Sequence, residues 1–253
     1  MIDVKNVSKS YGTSVVVDDV TLRLPAGGMI SIVGANGAGK STLLSMISRL
    51  LPMSAGTVTV HGLDVTKAPS DELARRLSIL RQDNHVVSRL TVRDLVAFGR
   101  YPHSKGRLTE ADRGHIDRVI RYFELEPFAG RFLDELSGGQ RQRAFIAMVL
   151  CQDTDYILLD EPLNNLDIKH AVAMMKLFRR TADTFGKTFV MVLHDINFAS
   201  CYSDHIVAMR DGRVVHAGPP ADVITPAAIR DVYGLETTVQ ETPEGRRIVH
   251  YYV

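Results

Sequence analysis

Nine consecutive residues near the start of the chain have the types and spacing to hold a polyphosphate. Gly34-Ala-Asn-Gly-Ala-Gly-Lys-Ser-Thr42 fits the pattern G-x-x-x-x-G-K-[ST]. Gly34, Asn36, Gly37 and Gly39 form a loop whose backbone can wrap closely around an anion, presenting its N–H groups and a helix N-terminus. Lys40 can reach the β- and γ-phosphates. Ser41 can ligate Mg²⁺, and Thr42 continues the cradle. The plainer reading is a glycine-rich turn that holds nothing. A strand expected before the loop and a helix expected after it favour the phosphate reading.

Two further groupings bear on the same chemistry. Tyr156-Ile-Leu-Leu-Asp160-Glu161 is an apolar strand that ends in two carboxylates. Asp160, at the C-terminal end of a strand expected beside the loop-bearing one, can hold a hydrated Mg²⁺. Glu161 points elsewhere and can polarise an attacking water. Ligands of open parallel sheets sit at such strand ends. The alternative is a pair of solvated acids in a turn before Pro162. Leu136-Ser-Gly-Gly-Gln140 precedes another expected helix, so Ser137, Gly138, Gly139 and Gln140 make a second anion site. One molecule has little use for two such sites facing one nucleotide from opposite sides. Two molecules arranged head to tail do.

These residues need a scaffold, and 253 residues are ample for one with a buried core. Apolar residues make up 45% and charged residues 23%, which excludes collagen, coiled coil and wholesale disorder. Thirty Lys+Arg against 29 Asp+Glu argue against a nucleic-acid coat protein. Cys151 and Cys201 build no disulfide framework and point to a reducing compartment. No signal peptide is evident, and no apolar run is long enough to span a membrane. The two cysteines and nine histidines show no tight ligand spacing, so no iron is expected on this chain. Met174, Met175 and Phe178, at helical spacing, read as core.

Strands alternate with amphipathic helices, which predicts an α/β fold with a mostly parallel sheet. Strands are expected at 29–33, 57–60, 78–81, 156–159 and 188–193, with hairpins at 205–216 and 237–252. Helices are expected at 40–51, from Ser70 to Leu77, at 92–99, 110–123 and 138–151, from Asp167 to Phe185, and briefly after Asp195. The stretch from about 84 to 155 carries no strand pattern and reads as a helical insertion. Arg75 to Arg121 holds eleven Lys+Arg against five Asp+Glu. That excess reads either as a contact for partner helices or anionic lipid, or as a solvated basic face.

With the phosphate loop, the acid pair and Leu136-Ser-Gly-Gly-Gln140 in this order, the chain resembles the ATP-binding cassette (ABC) ATPases from Tyr11 to about Gly234. The resemblance implies a P-loop NTPase (RecA-like) core over residues 1–235, with an antiparallel β subdomain and a helical subdomain that carries the signature. Residues 236–253 then form a C-terminal segment. It implies ATP and Mg²⁺ as cofactors and two copies sandwiching two ATP molecules. Tyr11 matches the aromatic that stacks on adenine, although a strand-edge tyrosine is the plain alternative. Gln82 matches the glutamine that touches Mg²⁺ and water. Asn164-Asn-Leu-Asp167 matches the loop that crosses the dimer interface, and Asp167 can also cap a helix. His194 matches the histidine that contacts the γ-phosphate, with Glu161 as general base. Leu163 departs from the Thr or Ser common after Glu-Pro.

A single cassette without membrane segments is similar to the separate subunit of an importer. Phe98-Gly-Arg-Tyr-Pro-His103 and Glu161-Pro-Leu-Asn-Asn-Leu-Asp-Ile-Lys-His170 resemble the iron–siderophore branch, with haem and cobalamin importers as the alternative. Residues 98–103 could equally do no more than end a helix, with Gly99 and Pro102 as breakers. The implied partners are integral membrane permease subunits at the cytoplasmic face of the membrane and, indirectly, an extracytoplasmic substrate-binding protein. No nucleic acid is implied. A soluble regulatory cassette is the reading from another class.

Overall fold

The computed structural model describes residues 1–82, 89–164 and 166–251. The expected start of the helical insertion near 84, the loop residue Asn165 and the expected strand end at Tyr252 lie outside them. The chain opens with β1 (Ile2–Tyr11), β2 (Ser14–Leu24) and β3 (Gly28–Val33), followed by α1 (Lys40–Ile47). Then come β4 (Ala55–Val60), β5 (Leu63–Asp64), α2 (Ser70–Ala74) and β6 (Leu77–Leu80). The helical stretch is α3 (Val92–Phe98), α4 (Tyr101–Ser104), α5 (Glu110–Tyr122) and α6 (Gly138–Cys151). The strand–helix rhythm resumes with β7 (Tyr156–Asp160), α7 (Ile168–Phe185), β8 (Thr188–Val192) and α8 (Ile196–Tyr202). The chain closes with β9 (His205–Arg210), β10 (Arg213–Gly218), α9 (Pro220–Val223), α10 (Pro226–Tyr233), β11 (Thr238–Glu241) and β12 (Arg247–His250).

The central sheet has the order β10-β9-β3-β8-β7-β6 and is parallel except at the β10 edge. A second, antiparallel sheet runs β2-β1-β4-β5, and β11 and β12 form a two-stranded sheet. The central strands are buried on both faces, and alternation sorts their side chains. Ile30, Ile32, Leu158, Val190 and Val192 join Leu43 and Leu44 of α1 and Ile2 and Val4 of β1 in one core. Met29, Ile157, Leu159, Phe189 and Met191 join Val92, Ile120, Phe145 and Phe178 from the helices in another. Each such side chain is worth about 1.5–3 kcal/mol when buried, so neither face can stay bare. Met174, Met175 and Phe178 lie in the second core, as their spacing predicts.

Two helices are shorter than the sequence pattern predicts. The helix expected over 40–51 stops at Ile47 because Arg49 turns left-handed (φ 62°) and the Ser45 carbonyl accepts from both Leu50 and Leu51. Ser70 does not cap α2. Its hydroxyl accepts from Arg49 at 2.7 Å, Pro69 holds the cap position, and the helix ends at Ala74 rather than Leu77.

The segment 98–103 is a junction. A Cβ on Gly99 would sit 2.2 Å from the Met148 carbonyl oxygen, so only glycine lets α3 end so close to α6. Arg100 donates to Asp112 (2.9 Å) and to the Cys151 carbonyl (3.1 Å). His103 bonds the Gln152 carbonyl, and the Gln152 amide donates to Ala74 and Leu77 at the start of β6. The Thr109 hydroxyl and N–H, together with Arg100, hold the Asp112 carboxyl down at about 2, against 3.8 ordinarily. A carboxyl with a depressed folded pKa contributes stability that is complete above 3.8 and is lost as the pH falls toward 2. Asp112→Asn is therefore expected to destabilise the protein at neutral pH and to flatten that acid limb. Urea unfolding at pH 7 and in steps from pH 5 to pH 2 measures both effects.

Candidate functional site

The phosphate loop joins β3 to α1, and its shape rests on close backbone contacts. A Cβ on Gly34 would lie 2.2 Å from the Met209 carbonyl oxygen, and one on Gly39 would lie 2.7 Å from that of Val16. Both have positive φ, 148° and 93°, so glycine is needed twice over. The β9–β10 turn braces the loop from outside: Gly212 donates to Ala38, and Asp18 donates to Gly212. Lys40 Nζ donates to the carbonyls of Gly34 and Ala35, each at 2.9 Å. Burial pulls the Lys40 ammonium below its usual pKa, opposed by Glu161 and Asp160.

The C-terminal strand ends supply the rest. Along the sheet edge the order is the loop after β3, His194 after β8, Asp160 and Glu161 at β7, and Gln82 after β6. The sequence reading set Asp160 on a strand beside the loop. The structure instead interposes β8, which is how His194 comes between loop and acid pair. α1 spans that gap, and Ser41 Oγ donates to Asp160 Oδ1 at 2.7 Å. Burial raises the Asp160 pKa, with Ser41's hydrogen bond opposing it.

Glu161 sits in the left-handed region (φ 51°), a conformation that costs a non-glycine residue about 1–3 kcal/mol and clusters at functional sites. There its carboxylate meets three donors: His194 Nε2 at 2.8 Å, Gln82 Nε2 at 2.8 Å, and Asn164 Nδ2. Sequence reasoning put Asn164 only in the interface loop and missed its contact with Glu161. The bond reaches just three residues along the chain, and nothing in the motif marks it.

Asn36, Gly37, Gly39, Lys40, Ser41, Thr42, Gln82, Glu161 and His194 line one cleft of about 360 Å³. Tyr11, Ser41, Thr42, Gln82 and Asp160 line an adjoining one. Tyr11 is exposed at the end of β1, with Lys9 Nζ 5.0 Å from its ring centre. Ser137, Gly138, Gly139, Gln140 and Asp167 line neither. Ser137 caps α6, its N–H bonded to Gln140 Oε1 at 3.0 Å and its hydroxyl facing the Gln140 N–H. Both bonds are local to the exposed start of α6. A Cβ added to Gly139 would lie 3.5 Å from the His170 ring and 3.8 Å from Leu166. Asp167 caps α7, accepting from the His170 N–H at 2.8 Å, and this hydrogen bond holds its carboxyl below the ordinary pKa.

The Ser41 hydroxyl, the Asp160 carboxylate and the Gln82 amide offer hard oxygen donors, the kind Mg²⁺ takes. Ser41 and Asp160 already bring two such oxygens within hydrogen-bond distance, so the residues fit that ion. Among the described residues, no cluster of three or more His, Cys, Asp or Glu could hold a metal by itself.

A parallel sheet that brings a phosphate loop, an acid pair and a histidine together at the C-terminal ends of its strands defines a P-loop nucleoside triphosphatase. The chain matches the ABC transporter family model over residues 17–164, and it belongs to that family. It is 50% identical over 252 residues to the petrobactin import ATP-binding protein YclP of Bacillus subtilis (strain 168), covering 100% of both chains. It is 49% identical to the petrobactin import ATP-binding protein FatE of Bacillus anthracis, covering 97% of this chain and 98% of that one. The fold superposes on a dimeric ATP-binding cassette in a post-hydrolysis state bound to ADP and Pi with a TM-score of 0.78. That match is 30% identical and covers 87% of this chain and 99% of the other.

Proposed function

We propose that the protein is the ATP-hydrolysing subunit of an ABC importer for iron–siderophore complexes. The observation that carries this reading is the convergence of Lys40, Ser41, Gln82, Glu161 and His194 on one cleft. The full-length similarity to two proteins named for petrobactin import supports the substrate class. Residues 1–235 would be the ATPase domain, with the helical subdomain at about 84–155 inserted in it and 236–253 as a terminal segment.

In this mechanism Tyr11 stacks on adenine, and the backbone N–H groups from Gly34 to Thr42 hold the phosphates with Lys40. Ser41, Asp160 and Gln82 would hold Mg²⁺, which when bound neutralises charge on the β- and γ-phosphates. Gln82 and His194, already bonded to Glu161, orient the attacking water and the γ-phosphate. Glu161 takes the proton from that water as its oxygen bonds to phosphorus and the bond to ADP breaks. Ser137, Gly138, Gly139, Gln140 and Asp167 of a second copy complete the site. Closing of the pair on ATP biases the permease toward one access state, and hydrolysis releases it. The subunit works at the cytoplasmic face of the membrane, held by permease subunits that receive cargo from an extracytoplasmic binding protein. Among the described residues, no helix is long and apolar enough to cross a membrane.

Ser137 is exposed, so Ser137→Arg adds bulk and charge without disturbing a core. The variant is expected to bind ATP as a monomer and to lose hydrolysis that rises with protein concentration. Equilibrium nucleotide binding and phosphate release across a dilution series test this. Normal hydrolysis, independent of concentration, would remove the shared site. Co-purification of the tagged chain with a polytopic membrane protein tests the importer reading, and a soluble partner alone would contradict it.

A further inference from the structure

The last two strands contribute no residue to the proposed site, yet they are bonded to the helix that begins two residues after His194. The Asn197 side chain pairs with the peptide of Val249 on β12: Asn197 Oδ1 accepts from the Val249 N–H at 2.8 Å, and Nδ2 donates to the Val249 carbonyl at 3.2 Å. The amide thus serves as a one-residue strand on the outer edge of the hairpin and satisfies both polar groups there. One turn on, the Ser200 hydroxyl donates to the Arg247 carbonyl. The Arg247 guanidinium in turn donates to the carbonyls of Ala221 and Ile224, which anchors the hairpin to the α9 region.

His194 needs such an anchor. Its side chain is 42% exposed, so packing does not hold the ring. Beyond its 2.8 Å contact with Glu161, its place follows from the backbone on either side. Upstream, the Leu193 N–H donates to Ile32 beside the phosphate loop at 3.1 Å. Downstream, Asp195 caps α8 through the N–H groups of Asn197 and Phe198. Asn197 is therefore where the helix cap and the hairpin meet.

We propose that the C-terminal hairpin is a brace for His194 and that Asn197 is the positioning residue through which it acts. The proposal rests on the reading of His194 as the γ-phosphate contact. A displaced ring spoils geometry in the transition state while leaving ground-state binding of ATP almost untouched, and misplacement by a fraction of an ångström to an ångström costs about tenfold or more in rate.

The test uses the full chain in its transporter complex and a double-mutant cycle. Asn197→Ala removes both bonds, and Val249→Pro removes one donor from the hairpin side; either serves if the other fails to fold. Each is expected to lower kcat about tenfold with the KM for ATP within about twofold. Neither is expected to lower the residual rate further in a His194→Ala background. An unchanged kcat, a raised KM with kcat kept, or the same loss with and without His194 would overturn the brace. Full turnover by His194→Ala alone would overturn the parent assignment as well, so the two failures are distinguishable.

Discussion

Glu161→Gln is expected to bind ATP, to turn over about 10²–10⁴-fold more slowly, and to accumulate as an ATP-bound dimer. Gln82, His194 and Asn164 jointly hold this carboxylate at the cleft. An amide cannot take the proton from water. It can still accept from Gln82 and Asn164 through its oxygen, so the local geometry survives. It also removes a negative charge beside Asp160 and the triphosphate, which favours the closed, loaded state. Steady-state phosphate release, with size-exclusion chromatography in ATP, reads both halves of the expectation. Undiminished turnover would strip Glu161 of its role, whatever the dimer does.

Lys40→Ala is expected to weaken ATP binding about 10–150-fold, the equivalent of about 1.5–3 kcal/mol for a hydrogen bond to a charged group. The ammonium is buried and donates to the Gly34 and Ala35 carbonyls. Burial already works against its charge, so the nearby phosphates gain a partly desolvated cation. Removing the side chain also frees two loop carbonyls, and part of the loss will come from a loosened loop. Lys40→Arg is not expected to rescue binding, because a planar guanidinium does not fit the position of a point charge between two carbonyls. Calorimetric titration of ATP and of ADP separates the contributions: the loss is expected to be larger for ATP, whose γ-phosphate lies within Lys40's reach. Equal losses for the two nucleotides would place Lys40's effect on the loop or the β-phosphate rather than on the γ-phosphate.

Much of the site was legible because phosphate chemistry is demanding about residue type. Glycines are needed where the backbone must approach an anion, a lysine and a hydroxyl must follow, and carboxylates must end a strand. The expected strand positions at 29–33, 156–159 and 188–193 agree with β3, β7 and β8 within one residue, because runs buried on both faces are continuously apolar. The capping boxes at Thr91 and Thr109 form with Asp in the third helical position, where Glu or Gln is usual. Less could be read at the N-terminus. β1 and β2 carry bulges and exposed polar residues that break the alternation, so the resemblance alone pointed to an antiparallel subdomain there.

The sequence by itself determined which groups could handle a polyphosphate, because that depends on residue identity and short spacing. It also determined that an α/β scaffold would carry them, because hydrophobic period follows from local geometry. Only the tertiary structure decided that β8 lies between the loop strand and the acid strand, that Asn164, Gln82 and His194 all meet one carboxylate, and that the terminal hairpin bonds to Asn197. Each of these joins residues through strand order, a left-handed backbone or a long-range side-chain bond, and no pattern of neighbouring residues encodes such a contact.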